Sequence, residues 1–198
     1  YVGLHSDDEE YVADAFSTMR QCNWPSLKTV IISHMSKQLP TQSLKGLLGL
    51  PNLVQLELPF SDFSDNPEGA IRTVLHLTLL QNLNMSTCAL NGKAISMIRL
   101  GDWPQLKQLE LGNNDFSDDP VGALKGLLQL SSLQDKLTLK GCVLTGKAIS
   151  QIRPGHWPHL KELVLVEDEA FDQHMHTDFS DDPCEAMKGL LQLTALQQ

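Results

Sequence analysis

Aliphatic side chains recur along this chain with a long period. Leu27, Leu53, Leu80, Leu106, Leu133 and Leu160 are each read as opening a segment of the form LxxLxL, at successive gaps of 26, 27, 26, 27 and 27 residues. The next match, Leu196, comes 36 residues later, which places an insertion between Glu167 and Asp178. Inside one period the hydrophobic spacing changes. Leu106, Leu109 and Leu111 follow the pattern of a half-buried strand, whereas Ala123, Leu124, Leu127 and Leu128 recur at helical spacing. Each period therefore predicts strand, turn, helix, turn, and the whole chain predicts seven helices and about six strands.

Two kinds of unit can be distinguished. The first reads WPQLKQLELGNNDFSDDPVGALKGLLQL from Trp103 and recurs from Trp24, Pro51 and Trp157. The second reads LTLKGCVLTGKAISQIRPGHW from Leu137 and recurs from Leu83. The stretch AFSTMRQCNW from Ala15 aligns with AISMIRLGDW from Ala94, so the pattern reaches back to the first helix. Asn66, Asp119 and Asp182 precede Pro67, Pro120 and Pro183, the arrangement of an N-cap followed by proline in the first turn. Asn91 and Thr145 are predicted caps of the second kind of unit, with Gly101 and Gly155 at the helix exits. Ser6 to Glu9 reads as a capping box, with Val12, Ala15, Phe16 and Met19 as the apolar stripe behind it.

A unit of this size cannot bury its own leucines, but stacked units share one core. Strands about 4.8 Å apart beside helices that need about 8 to 10 Å force the stack to curve toward the strands. These residues resemble the leucine-rich repeat family, in its helix-containing ribonuclease-inhibitor-like or cysteine-containing subclasses, over Trp24 to Gln198. The resemblance implies an α/β solenoid with a parallel sheet on the concave face and helices on the convex face. At the position where that family places a ladder of Asn or Cys, this chain has Met35, Ser61, Cys88, Asn114, Cys142 and Asp168. The expected organisation is one domain over 1–198, with 1–23 as an N-terminal helical repeat or cap, 24–198 as repeats, and an insertion near 167–178.

Composition narrows the functional classes. The chain has 198 residues, 41% of them hydrophobic, which suffices for a core. Fifteen Lys and Arg against 24 Asp and Glu give a net charge of -9, which argues against nucleic acid or an anionic membrane and for a basic protein partner. No apolar run approaches the roughly 18 residues of a membrane span. The start at Tyr1 and the LxxL match stopping at Gln198 read as a piece of a larger parent. On that reading, the resemblance implies target selection within an innate-immune sensor or ubiquitin-ligase receptor.

Candidate chemistry is sparse. GCVLTGKA, from Gly141 to Ala148, imitates a phosphate-binding loop but lacks the final hydroxyl, and its counterpart from Ser86 lacks the first glycine. Cys22, Cys88, Cys142 and Cys184 form no CxxC pair. Cys88 and Cys142 lie two strands apart, about 10 Å, beyond disulfide reach. All four are read as small buried thiols of a reducing, cytoplasmic compartment. His174 and His176 in the insertion offer a weak metal pattern, which makes a metal-binding or enzymatic loop over Glu167 to Asp178 the alternative reading, while neither a resident metal nor a cofactor is expected.

The expected site is a binding surface, because no nucleophile, base and oxyanion donor can be assembled into an enzyme. Strand residues facing away from the leucines are Thr29, Ile31 and Ser33, then Gln55, Glu57 and Pro59, then Asn82, Asn84 and Ser86. Gln108, Glu110 and Gly112 follow, then Lys136, Thr138 and Lys140, then Glu162, Val164 and Val166. Asp115, Asp118, Glu167, Asp168 and Glu169 belong to an acidic rim between strands and helices, where half of all carboxylates fall. Helix N-termini alone favour acids there, and a basic partner steered to the rim is the functional alternative. Charge reversal at Glu110 and Glu162 is expected to weaken binding. Trp24, Trp103 and Trp157 are expected to pack between a helix exit and the next strand.

Overall fold

The computed structural model describes residues 1–5, 9–21, 24–33, 39–166, 179–193 and 196. Its seven strands are β1 (Val2–His5), β2 (Thr29–Ser33), β3 (Gln55–Glu57), β4 (Asn82–Asn84), β5 (Gln108–Glu110), β6 (Lys136–Thr138) and β7 (Glu162–Val164). They form one open, all-parallel sheet in sequential order. Six α-helices alternate with them: α1 (Glu9–Gln21), α2 (Pro67–Val74), α3 (Gly92–Ile95), α4 (Pro120–Leu127), α5 (Gly146–Ile149) and α6 (Pro183–Leu190). A 3₁₀ helix, Thr41–Gly49, stands between β2 and β3. Each helix packs on the next along the chain, which makes a helix layer in the same order as the strands.

Seven helical elements agree with the hydrophobic pattern; β1 exceeds the expected strands. It precedes the first leucine period and pairs with β2 from Val2↔Val30 to His5↔Ser33. From β3 onward the register aligns Leu56, Leu83, Leu109, Leu137 and Leu163 in one file. The first four are buried and Leu163 is partly buried at the sheet edge. One opening departs from LxxLxL. Leu133 and Leu137 have three residues between them, and the Lys107 carbonyl receives the N–H groups of Gln134, Asp135 and Lys136 at 3.2, 2.9 and 3.4 Å. This local bulge absorbs the extra residue and restores the register in β6.

The helix starts are built as the sequence predicts. Asn66, Asp119 and Asp182 accept N–H groups of Gly69, Gly122 and Glu185, and Asn91 and Thr145 accept those of Ala94 and Ala148. Gly101 and Gly155 leave the helix region at φ 92° and 90°, conformations that need a residue without Cβ. Packing between helices depends on close backbone approach. A Cβ on Gly46, Gly126 or Gly189 would stand 2.1, 2.4 and 2.4 Å from the carbonyl oxygens of Phe16, Ile95 and Ile149. The capping box at Ser6 to Glu9 falls largely outside the described residues; behind it Val12, Phe16 and Met19 are buried.

Two of the tryptophans pack as expected. Trp103 and Trp157 are buried, and their indole N–H groups donate to the carbonyls of Val74 and Leu127 at 3.0 Å each. Trp24 differs: it is 37% exposed and lines a surface cavity with Tyr1, Pro25, Ser26 and Leu27.

Candidate functional site

Parallel pairing sets the outward side chains in two rows. Thr29, Gln55, Asn82, Gln108, Lys136 and Glu162 form one row, and Ile31, Glu57, Asn84, Glu110, Thr138 and Val164 the other. The strand residues between them point the opposite way into the core. The two rows meet the surface at intermediate exposure from Thr29 to Lys136, except for Thr138, which is 5% exposed. Among the described residues, Lys140 lies over Gly112, where a Cβ would meet its Cγ at 3.1 Å. Val166 is 66% exposed.

Polar contacts divide this face into two halves. Lys136 Nζ pairs with Glu162 at 2.9 Å, which neutralises the β6 and β7 side. On β3 to β5, amides rather than cations hold the acids. Gln55 Nε2 donates to Glu57 Oε1 at 2.5 Å and Gln108 Nε2 to Glu110 Oε1 at 2.8 Å. Asn84 Nδ2 donates to Glu110 Oε2 at 3.2 Å. These residues, with Asn82 and Leu83, line a shallow cavity of about 160 Å³. Among the described residues neither Glu57 nor Glu110 forms an ion pair.

The acidic rim has a structural occupation. Asp118 accepts the N–H groups of Gly92 and Lys93 at 2.6 and 3.4 Å, at the start of α3 in the preceding unit. Asp181 does the same for Gly146 and Lys147 at 2.5 and 3.1 Å, at the start of α5. Asp65 serves the 3₁₀ helix, receiving the N–H and hydroxyl of Thr41 at 3.1 and 2.6 Å. Among the described residues Asp115 receives only the N–H of Ser117, at 2.9 Å. Glu167, Asp168 and Glu169 lie outside the described residues, as does the rest of the 167–178 insertion with His174 and His176.

The ladder position explains itself chemically. Asn114 Oδ1 accepts from the N–H groups of Cys88 and Leu90 at 3.0 and 2.9 Å, and Nδ2 donates to the carbonyls of Met85 and Leu111 at 2.9 and 2.7 Å. Cys88 Sγ donates to the Leu58 carbonyl and Cys142 Sγ to that of Leu111. Burial, ahead of opposing backbone hydrogen bonds, pushes both thiols up to about 12. They are poor nucleophiles. Ser61, which holds the same place, is fully buried with its hydroxyl unpartnered among the described residues. Cys184 corrects the reading of four buried thiols, because it is exposed on α6; Cys22 lies outside the described residues.

Sequence reasoning missed Phe60. The turns after β3, β4, β5 and β6 hold a left-handed residue at matching places, Phe60 (φ 63°), Thr87 (φ 56°), Asn113 (φ 57°) and Gly141 (φ 65°), and those after β4 and β6 hold a second, Ala89 (φ 53°) and Val143 (φ 52°). Gly and Asn suit that conformation; a bulky aromatic does not. Phe60 is nevertheless 57% exposed, so burial does not offset the strain. Aligning it with Gly141 would have revealed the misfit.

No family model and no curated protein matches this chain. None of its described helices is long and apolar enough to cross a membrane.

Proposed function

We propose that this chain is a curved leucine-rich-repeat-like solenoid whose uncovered sheet face binds a basic protein without catalysis. The observation that carries the reading is the pair of carboxylates, Glu57 and Glu110, that form no ion pair among the described residues and line an open cavity on that face. All-parallel sheets are ordinarily covered on both faces, and here the leucine face meets the core while the other carries part-exposed polar rows. Glutamates lined up there have no duty in the core. Their field attracts cations and raises the encounter rate with a basic surface.

The rim contributes less to this reading than the face does, because Asp118 already serves a neighbouring helix. Glu162 is likewise occupied by Lys136, so Glu57 replaces it as the partner of Glu110 in the informative double reversal.

A photoreactive side chain at Gln108, on the face, is expected to crosslink one protein that the same group at Lys125, exposed on α4, does not. The double variant Glu57→Lys and Glu110→Lys is expected to abolish that crosslink while leaving thermal unfolding nearly unchanged. Equal crosslinking from Lys125, or capture that survives the reversal, would remove the face as the site.

A further inference from the structure

The chemistry of this cavity specifies more than a positive charge. Gln55 and Gln108 each turn an amide N–H onto the glutamate of the same strand, so the nitrogen faces the acid and the amide oxygen faces elsewhere. Carboxylates accept and never donate when ionised, which fixes that orientation. Asn84 gives its N–H to Glu110 and uses its Oδ1 to receive the N–H of Ser86 at 3.0 Å. The cavity is therefore rich in acceptors, and a ligand with many donors and no acceptor matches it.

Glu57 and Glu110 share one row with Asn84 between them, so the two acids are about 10 Å apart across two strand spacings. Thr138, the register partner of Glu110 on the next strand, faces the same side; it is 5% exposed and its Oγ1 is unpartnered among the described residues. Phe60 stands three residues beyond Glu57, on the turn that leaves β3, with its ring exposed and its backbone strained. Phe60 is outside the lining of the cavity itself, and an exposed ring on the adjoining turn offers a flat cation a stacking face that a compact ammonium uses less well.

We infer that the cavity between Glu57 and Glu110 receives arginine side chains of a protein segment, with Phe60 as the stacking surface at its margin. The inference rests on the sheet-face reading above and names the chemistry of its partner. A guanidinium presents five donors and no acceptor in a plane, whereas an ammonium is a compact, strongly hydrated point charge. The structure thus distinguishes two cations that net charge treats alike.

The test uses a short glycine-spaced peptide with two arginines, its two-lysine counterpart and its two-citrulline counterpart, titrated against the isotope-labelled chain. The arginine peptide is expected to shift the backbone amides of Gln55–Glu57 and Gln108–Glu110, and to bind about tenfold more tightly than the lysine peptide. Citrulline keeps the shape without the charge and is expected to leave those amides unmoved. Glu57→Gln with Glu110→Gln is expected to lose the arginine binding, and Glu162→Gln to retain it.

Phe60→Gly separates recognition from folding. Relief of the left-handed strain is expected to raise Tm while the arginine peptide binds several-fold more weakly; a purely structural phenylalanine would show unchanged binding, which overturns its assignment. Equal binding of the three peptides, or arginine binding that survives the double glutamine variant, overturns the inference. If the peptides fail to discriminate but the crosslink at Gln108 still depends on Glu57 and Glu110, the sheet face stands and the arginine assignment falls. Failure of both removes the site altogether.

Discussion

Asp118 accepts the backbone N–H of Gly92 at 2.6 Å, a contact 26 residues back along the chain. The acid thus caps a helix in the unit before its own, alongside that helix's own cap, Asn91. Four residues make up α3, so exposed N–H groups are a large share of its backbone. Asp118→Ala is expected to cost about 1 to 2 kcal/mol in urea unfolding, with Asp118→Asn recovering part of it. Asp115→Ala, which loses one local turn contact, is the matched control and is expected to cost less. Equal losses from the two would show that the long-range cap contributes nothing.

Ser61 offers the opposite experiment, a gain. Its hydroxyl is buried without a partner among the described residues, at the position where Cys88 and Cys142 reach the carbonyls of Leu58 and Leu111 in the preceding unit. Ser61→Cys is expected to stabilise the fold by about 1 kcal/mol, because a buried unsatisfied hydroxyl disappears and the longer bond to sulfur extends the side chain. The urea midpoint measures it; a lower midpoint would mean that the pocket around Ser61 has no room for sulfur.

His156 makes the fold sensitive to mild acid. Its Nδ1 accepts the N–H of Arg153 at 3.0 Å, where the corresponding Asp102 accepts that of Arg99 at 2.7 Å. Burial first, then the Arg153 guanidinium, lowers the His156 pKa from its ordinary 6.5. Unfolded chain therefore binds the proton more readily than folded chain. The His156 contribution is present above about pH 6.5 and is lost as pH falls through the lower, folded value. His156→Asn keeps an acceptor without titrating and is expected to flatten the fall of the urea midpoint between neutral pH and about pH 5.

Thiol reactivity should sort by position. With Cys88 and Cys142 pushed up to about 12 by burial, iodoacetamide near pH 8 is expected to modify Cys184 in the folded protein and to reach the other two only after denaturation. Peptide mass mapping before and after urea reads the difference. Alkylation of folded Cys142 at the rate of Cys184 would contradict its burial.

The order of strands and helices was legible because one leucine file and one set of caps recur. Leu56, Leu83 and Leu109 announce their burial by spacing alone, and Asn66 and Asp119 announce their helices by the proline that follows. What stayed hidden depends on contacts between units. Nothing in the local sequence shows that Asp118 serves Gly92 or that Glu162 is taken by Lys136. β1 was missed because Val2 and Leu4 are too few to mark a period. Phe60 stayed unnoticed because an exposed aromatic is ordinary; Trp103 and Trp157 share its positive φ but are buried, and the combination of exposure with that φ sets Phe60 apart.

The glycines between helices carry a consequence for how such a chain could lengthen or shorten. Gly46, Gly126 and Gly189 press against the unit of the second kind, at Phe16, Ile95 and Ile149. Thr73 holds the corresponding place in α2, which follows the 3₁₀ helix of another first-kind unit, and its hydroxyl bonds to the Gly69 carbonyl of its own helix. The smallest interchangeable block is thus a couplet, such as the 54 residues from Leu83 to Lys136. Copying or excising a couplet keeps every glycine opposite its carbonyl; an odd edit leaves a gap or a collision at the splice.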